Sequence, residues 1–405
     1  MTTLRPFPAL RPVGERARDV AAVPYDVVST AEARALAAGK PWSFLHVSRA
    51  EIDLPDGTDP HSDAVYRRAA ENFGRLSREA PLIRDPEPSV YLYRLKMNEH
   101  EQTGIAATFS LDEYDSDVVR KHERTRRDKE DDRTRHMVTL SAQTGPVFLT
   151  YRDRPEVDRL VAEASRREPI SNFTAEDGVA HTLWRLEPET ARRLVEEFGK
   201  VPLLYIADGH HRAASAARAR EELRSRSPAA AGAPRDFFLG VAFPAGQVRI
   251  LPYNRTVRDL GGRSPAQFLE ELGRKLPITP DAPPAPVRRG DVSFYLDGRW
   301  YGIRLPNPSP ADDALDVTLL QEQVLEPILG IGDVRTDPRI DFVGGARGTE
   351  ALQAAVDAGK AAVAFSLYPV AVDDLMRIAD ANEIMPPKST WFEPKLRDGL
   401  LIHEI

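Results

Sequence analysis

Apolar and polar residues alternate in two neighbouring stretches, Val90-Tyr91-Leu92-Tyr93-Arg94-Leu95 and Gly104-Ile105-Ala106-Ala107-Thr108-Phe109, on either side of the polar run Asn98–Thr103. A period of two with aromatic and β-branched content predicts a β-hairpin. Helical spacing of apolar residues marks 30–38, 61–79, 155–168 and 188–198, then 316–328, 349–358 and 371–381. Short apolar runs predict strands at Val20–Val23, Phe44–Val47, Val147–Tyr151, His181–Leu186, 340–343 and 361–366. Asp236–Phe243 and Val248–Asn254 read as a pair of strands, and Asp297-Gly298 sets a hairpin turn between Val292–Leu296 and Trp300–Leu305. The strongly charged stretch 117–142 reads as one long helix. Strands and helices interleave without a regular βαβ series, which predicts a mixed α/β (α+β) architecture.

The 34 prolines lie mostly between these periodic segments. Ser225–Pro234 reads as a small-residue loop and Thr279–Val287 as a linker. A chain of 405 residues has room for two or three domains. The expected segments are an N-terminal α/β part (1–95), a core (96–260) and a C-terminal α/β part (261–405).

The densest chemistry follows the apolar run Val201–Ile206, where Asp208-Gly209-His210-His211-Arg212 leads into an alanine-rich helical pattern. This predicts a strand, a tight turn and a helix, with polar side chains crowded at the turn. Gly209 permits an unusual backbone angle or the close approach of a ligand. The unpaired amides at the helix start suit an anion, and an arginine can grip a phosphate through two parallel hydrogen bonds. The plainer reading is an aspartate cap with exposed histidines. The turn's position at a strand end favours a ligand crevice. Histidine and aspartate also ligate metals, but adjacent histidines diverge and no HExxH pattern accompanies them, so a phosphate cradle is the preferred expectation.

A net charge of −7 argues against a general nucleic-acid binder, and the absence of cysteine excludes disulfides and thiolate chemistry. The N-terminal stretch lacks the apolar core of a signal peptide, and no apolar run is long enough to span a membrane. A cytoplasmic protein is therefore expected. No GxxxxGK[ST] loop, GxGxxG fingerprint or GxSxG elbow is present.

Three further constellations stand out. In the charged stretch, His122, Glu123, Arg126, Lys129, Arg133 and His136 fall near one side of the expected helix. They make either a solvated, salt-bridged face or a stripe that pairs with an anionic ligand, with Glu123 suited to act as a general base. Met385–Lys395 gathers Lys388, Lys395 and two aromatics behind a Pro-Pro pair, and either staples the C-terminal part to the core or presents the two lysines to a phosphate or carboxylate. Tyr25 and Asp26 sit in a compact loop that either joins a pocket or caps the helix at 30.

The segments LRPFPALRP, VAAVPYDVVS, RKHERTRRDKEDDRTRH, YIADGHHRAASAA and MPPKSTWFEPKLRDGLLIH resemble the prokaryotic family known as domain of unknown function 1015. More distantly, the DGHHR run resembles the ParB/sulfiredoxin-like superfamily and its free serine kinases. That resemblance implies a ParB/sulfiredoxin-like nucleotide-binding core with N- and C-terminal α/β extensions. It implies a kinase moving a phosphoryl group from ATP or ADP to a small hydroxyl amino acid, most simply free L-serine. Asp208, Gly209, His210, His211 and Arg212 would hold phosphates and Mg²⁺, with Asp208 as the metal ligand and His211 beside the chemistry. Glu123 would be the base, although it lies 85 positions before Asp208, further than in the compact kinases. Arg126, Lys129, Arg133, Lys388 and Lys395 would contact phosphates or the substrate carboxylate. Two other readings stay open: a nucleotide-binding regulator of ParB type, and a metal-dependent phosphatase or nuclease using His210 and His211.

Overall fold

The computed structural model describes residues 2–79, 82–227, 230–306 and 314–405. They form two compact units, Met1–Val248 with Pro394–Ile405, and Arg249–Glu393. Residues 1–95 and 96–248 thus share one unit, and the hairpin predicted at 90–109 bridges them.

The first unit is built on a nine-stranded mixed sheet. Its strands are β1 (Leu4–Arg5), β2 (Tyr91–Met97), β3 (His100–Ser110), β4 (Val119–Arg120), β5 (Val147–Tyr151), β6 (Ser171–Thr174), β7 (Ala180–Arg185), β8 (Leu204–Asp208) and β9 (Phe237–Pro244). They run in the order β4-β8-β5-β9-β3-β2-β7-β6, with β1 on β3. β9 pairs parallel to β5 and antiparallel to β3, and β8 pairs parallel to β4 and antiparallel to β5. The central strands are buried along almost their whole length, so they read as apolar runs rather than alternations. Their side chains, among them Phe109, Leu149, Ile206 and Phe238, join Phe198 in one core cluster. The helices that bear on the site are α1 (Asp63–Glu79), α2 (Arg127–Leu140) and α3 (His210–Arg226).

The second unit is a six-stranded sheet of β10 (Tyr253–Val257), β11 (Ile278–Pro280), β12 (Asp291–Leu296), β13 (Arg299–Arg304), β14 (Ile340–Gly344) and β15 (Val363–Leu367). The Asp297-Gly298 turn stands as predicted, both residues at positive φ.

Four expectations change. Residues 117–142 are not one helix: Val119 and Arg120 pair with β8, residues 121–126 form a loop, and α2 begins at Arg127. The stretches 236–243 and 248–254 do not pair with each other: β9 lies between β5 and β3, Ile250–Leu251 pairs with Trp391–Phe392, and β10, which begins at Tyr253, lies between β14 and β15. Val20 and Phe44–Val47 are helical or turn-like rather than extended. The loop read over Ser225–Pro234 lies partly outside the described residues, and α3 continues to Arg226.

Candidate active site

β8 ends at Asp208 and α3 starts at His210, with Gly209 between them at φ 95°. Glycine takes this left-handed conformation without strain, and the register of β8 against β5 shifts between Ile206 and Asp208. Gly209 gives the helix no side-chain cap, so the first-turn amides keep their positive end for an anion.

Six side chains gather at this turn. Lys395 donates from Nζ to Asp208 Oδ2 at 3.1 Å. Burial opposes the charge of Asp208, but Lys395 and then Arg212 hold its carboxyl well below the usual carboxylate range. His211 accepts the Arg126 backbone N–H at Nε2, 3.0 Å away. His210 is buried. Its Nε2 faces the His122 backbone N–H at 3.4 Å, and its Nδ1 lies 3.8 Å from Glu123 Oε2. His122 packs edge-on against it, ring centroids 4.4 Å apart. Burial keeps both rings neutral, with His122 lowered to about 4 and His210 well below its ordinary value.

The loop 121–126 therefore brings Glu123 and Arg126 to the turn from 85 and more positions upstream. Glu123 and Arg126 are exposed, and Lys129, in the first turn of α2, is half-buried. The side expected to be one helical stripe is split: Arg133 and His136, further along α2, lie inside the unit.

Arg212 also lies inside. Its NH1 donates to the Pro146 carbonyl at 2.7 Å and its NH2 to Asp26 Oδ1 at 3.4 Å, and its Nε has no partner. Behind it is a cavity of about 20 Å³, lined among others by Tyr25, Arg133, His136, Gly145 and Asp398, with room for about one water. The Arg133 guanidinium lies 4.2 Å from the Tyr25 ring centroid and pairs with Asp132 at 2.7 Å. Of the two roles read for Tyr25 and Asp26, the pocket role is the one observed: the helix at 30 is capped by Ser29 and Glu32 instead.

Asp398 carries no strong local signal in the sequence beyond an Asp-Gly pair, yet it is buried in this cavity wall with Oδ1 unpartnered. Burial raises its carboxyl to about 7 against the lowering pull of Arg212. A Cβ on Gly145 would overlap this carboxylate, so the close approach requires glycine there. The adjacent Arg397 is buried too, bonded through Nε to His181 at 3.2 Å and paired with Asp177. The C-terminal stretch 395–398 thus contributes one residue to the turn, one to an internal clamp and one to the cavity.

Lys388 belongs to the second unit, where it is exposed, with its ammonium 5.6 Å from the Tyr253 ring centroid. Among the described residues, no group of three or more His, Asp or Glu side chains is placed to hold a metal. No helix there is long and apolar enough to cross a membrane.

The protein is of mixed α/β class, and its family is defined by sequence. Residues 4–321 match the model described as protein of unknown function (DUF1015), and the chain belongs to that family. None of the curated proteins compared with the chain matches it. Among solved structures, it is similar to a free serine kinase in complex with AMP, at 13% identity and a TM-score of 0.35, over 73% of this chain and 92% of that one. A conserved hypothetical protein from Pyrococcus furiosus is similar at 14% identity and TM-score 0.36, over 73% and 94%. SbnI with a C-terminal truncation from Staphylococcus aureus is similar at 11% and 0.37, over 72% and 85%. Scores this low carry no functional assignment, which has to come from the side chains.

Proposed function

We propose that this protein is a phosphotransferase that moves a phosphoryl group from ATP or ADP to the hydroxyl of a small amino acid, with free L-serine as the first acceptor to test. The observation that carries this reading is the meeting of Glu123 with the DGHHR turn, 3.8 Å from His210. A half-exposed carboxylate beside an anion-favouring helix start is the pairing phosphoryl transfer needs. The nucleotide phosphates would lie at the first-turn amides of α3, with His211, Arg126 and Lys395 around them. Glu123 would take the proton as the acceptor oxygen forms its bond to phosphorus and the bond from phosphorus to the nucleotide oxygen breaks. His210, neutral and buried, is better suited to hold Glu123 than to meet phosphate directly. Arg212 would act from behind, fixing the turn through Pro146 and Asp26.

Magnesium usually binds through one or two carboxylates and the substrate's own phosphates. Asp208, held ionised, fits that role as the single protein ligand, and the bound ion would neutralise phosphate charge. The test is incubation of the protein with Mg²⁺, ATP or ADP and a panel of hydroxyl amino acids, read by mass spectrometry. A phosphorylated acceptor is expected, and Glu123→Gln should slow its formation by ~10²–10⁴-fold with nucleotide affinity retained. Nucleotide binding without any phosphorylated product would overturn the kinase reading.

A further inference from the structure

Four arginines are buried among the described residues: Arg212, Arg220, Arg255 and Arg397. Three meet a carboxylate: Arg212 has Asp26, Arg220 has Asp112 and Asp115, and Arg397 has Asp177. Arg255, on β10 of the second unit and 3% exposed, meets none among the described residues. Its NH1 donates to the Tyr253 carbonyl and its NH2 to the Lys388 carbonyl at 3.1 Å, and the guanidinium lies 5.4 Å from the Phe342 ring centroid. Glu393, the carboxylate of the neighbouring segment, accepts from Trp391 Nε1 at 2.9 Å.

A guanidinium withdrawn from water without a counter-charge is an expensive arrangement, and buried charges are ordinarily paired. A second cation stands close by. Lys388 is exposed, its ammonium over the ring of the same Tyr253 whose carbonyl Arg255 holds. Its backbone is left-handed, φ 60°, a conformation uncommon for lysine and one that tends to persist at functional turns. Ser389 Oγ closes that turn by donating to the Pro386 carbonyl at 2.6 Å.

We propose that Arg255 and Lys388 form an oxyanion-binding site in the second unit, taking a phosphoryl or carboxylate group as the counter-charge of the buried arginine. An oxyanion suits the planar fork of arginine, and the exposed lysine adds a point charge at the approach. Burial leaves Arg255 less basic than usual, at about 10, the direction an anion would reverse. The site is independent of the phosphotransferase reading.

The test is amide hydrogen exchange on the full chain at fixed ionic strength, with inorganic phosphate, acetate or chloride added. Phosphate or acetate should slow exchange in peptides covering 253–257 and 386–392, and the more effective of the two identifies the group. Lys388→Met and Arg255→Lys should each raise the half-saturating concentration by about tenfold, the loss of one charge-assisted contact. Lys388 is exposed, so its variant keeps the test sound even where Arg255→Lys perturbs folding. The proposal is overturned by equal protection from chloride, by no protection in these peptides, or by protection unchanged in Lys388→Met.

Discussion

Arg212 and Arg255 are buried to nearly the same extent, 5% and 3% exposed, yet their surroundings push their basicity in opposite directions. Burial lowers both. Around Arg212 it is outweighed by Asp26, Asp208 and Asp398, which leave the guanidinium more basic than usual, while Arg255, beside carbonyls and the Phe342 ring, drops to about 10. Depth alone therefore says little about what a buried charge is for. Arg212 is the hub of a neutralised cluster, bonded to the Pro146 carbonyl and Asp26 beside the DGHHR turn. Arg255 holds a turn through backbone acceptors, and among the described residues no carboxylate pairs with it.

Removing each guanidinium separates the two most strongly. Arg212→Met strips the partner from carboxylates at a buried site and should cost ~3–5 kcal/mol. Arg255→Met leaves two carbonyls without a donor but also removes an unpaired buried charge. Its net cost should stay within about 1–2 kcal/mol. Urea unfolding in phosphate-free buffer, with hydrogen exchange resolved over 203–226 and 253–257, reads both. Equal losses would erase the distinction between a compensated and an uncompensated arginine.

The next largest effect is steric and belongs to the Arg212 cluster. Gly145 lies against the Asp398 carboxylate, so Gly145→Ala overpacks the cavity wall and should cost ~1–3 kcal/mol. Combining it with Asp398→Ala, which removes the colliding atoms, should give a loss smaller than the sum of the two single losses. Strict additivity of the thermal midpoints would show that the two residues do not constrain each other.

What could be read in the sequence follows how local each feature is. The DGHHR turn was legible because strand, positive-φ glycine and helix are contiguous, and the hairpin of β2 and β3 was legible from alternation. The loop 121–126 was not. Charges three and four apart look helical whether or not a helix forms, and what breaks the helix there is parallel pairing of Val119 with Leu204, a partner far along the chain. The same holds for 236–243 and 248–254, whose residues mark strands but leave their neighbours open. Asp398 gains meaning only from Gly145 and Arg212, and Asp26 reaches Arg212 across 186 positions. The clustered residues of the site were thus visible as types, and the contacts that join them were not.

The smallest effect asks whether the carboxylates around Arg212 act as one cluster, and pH reads it. Asp398 faces Arg212, Asp26, Arg133 and Arg397, and its carboxyl is raised to about 7 from an ordinary value near 4. A folded chain that holds this proton longer than the unfolded chain is stabilised fully below about pH 4, and loses that stability as pH rises through about 7. The buried histidines run the other way. His122, His136 and His403, lowered to about 4, and His181, lowered to about 3, contribute stability above about pH 6.5 that is lost as pH falls. Between pH 6.5 and 8 the histidines of the unfolded chain still lose protons, so the Asp398 contribution is read as the difference between the protein and Asp398→Asn. Over that window the protein should lose roughly 1 kcal/mol relative to Asp398→Asn. Urea midpoints measured across it decide the point. Parallel curves for the two proteins would mean that Arg212 keeps Asp398 ionised, and that the compensation around this arginine is complete without a shared proton.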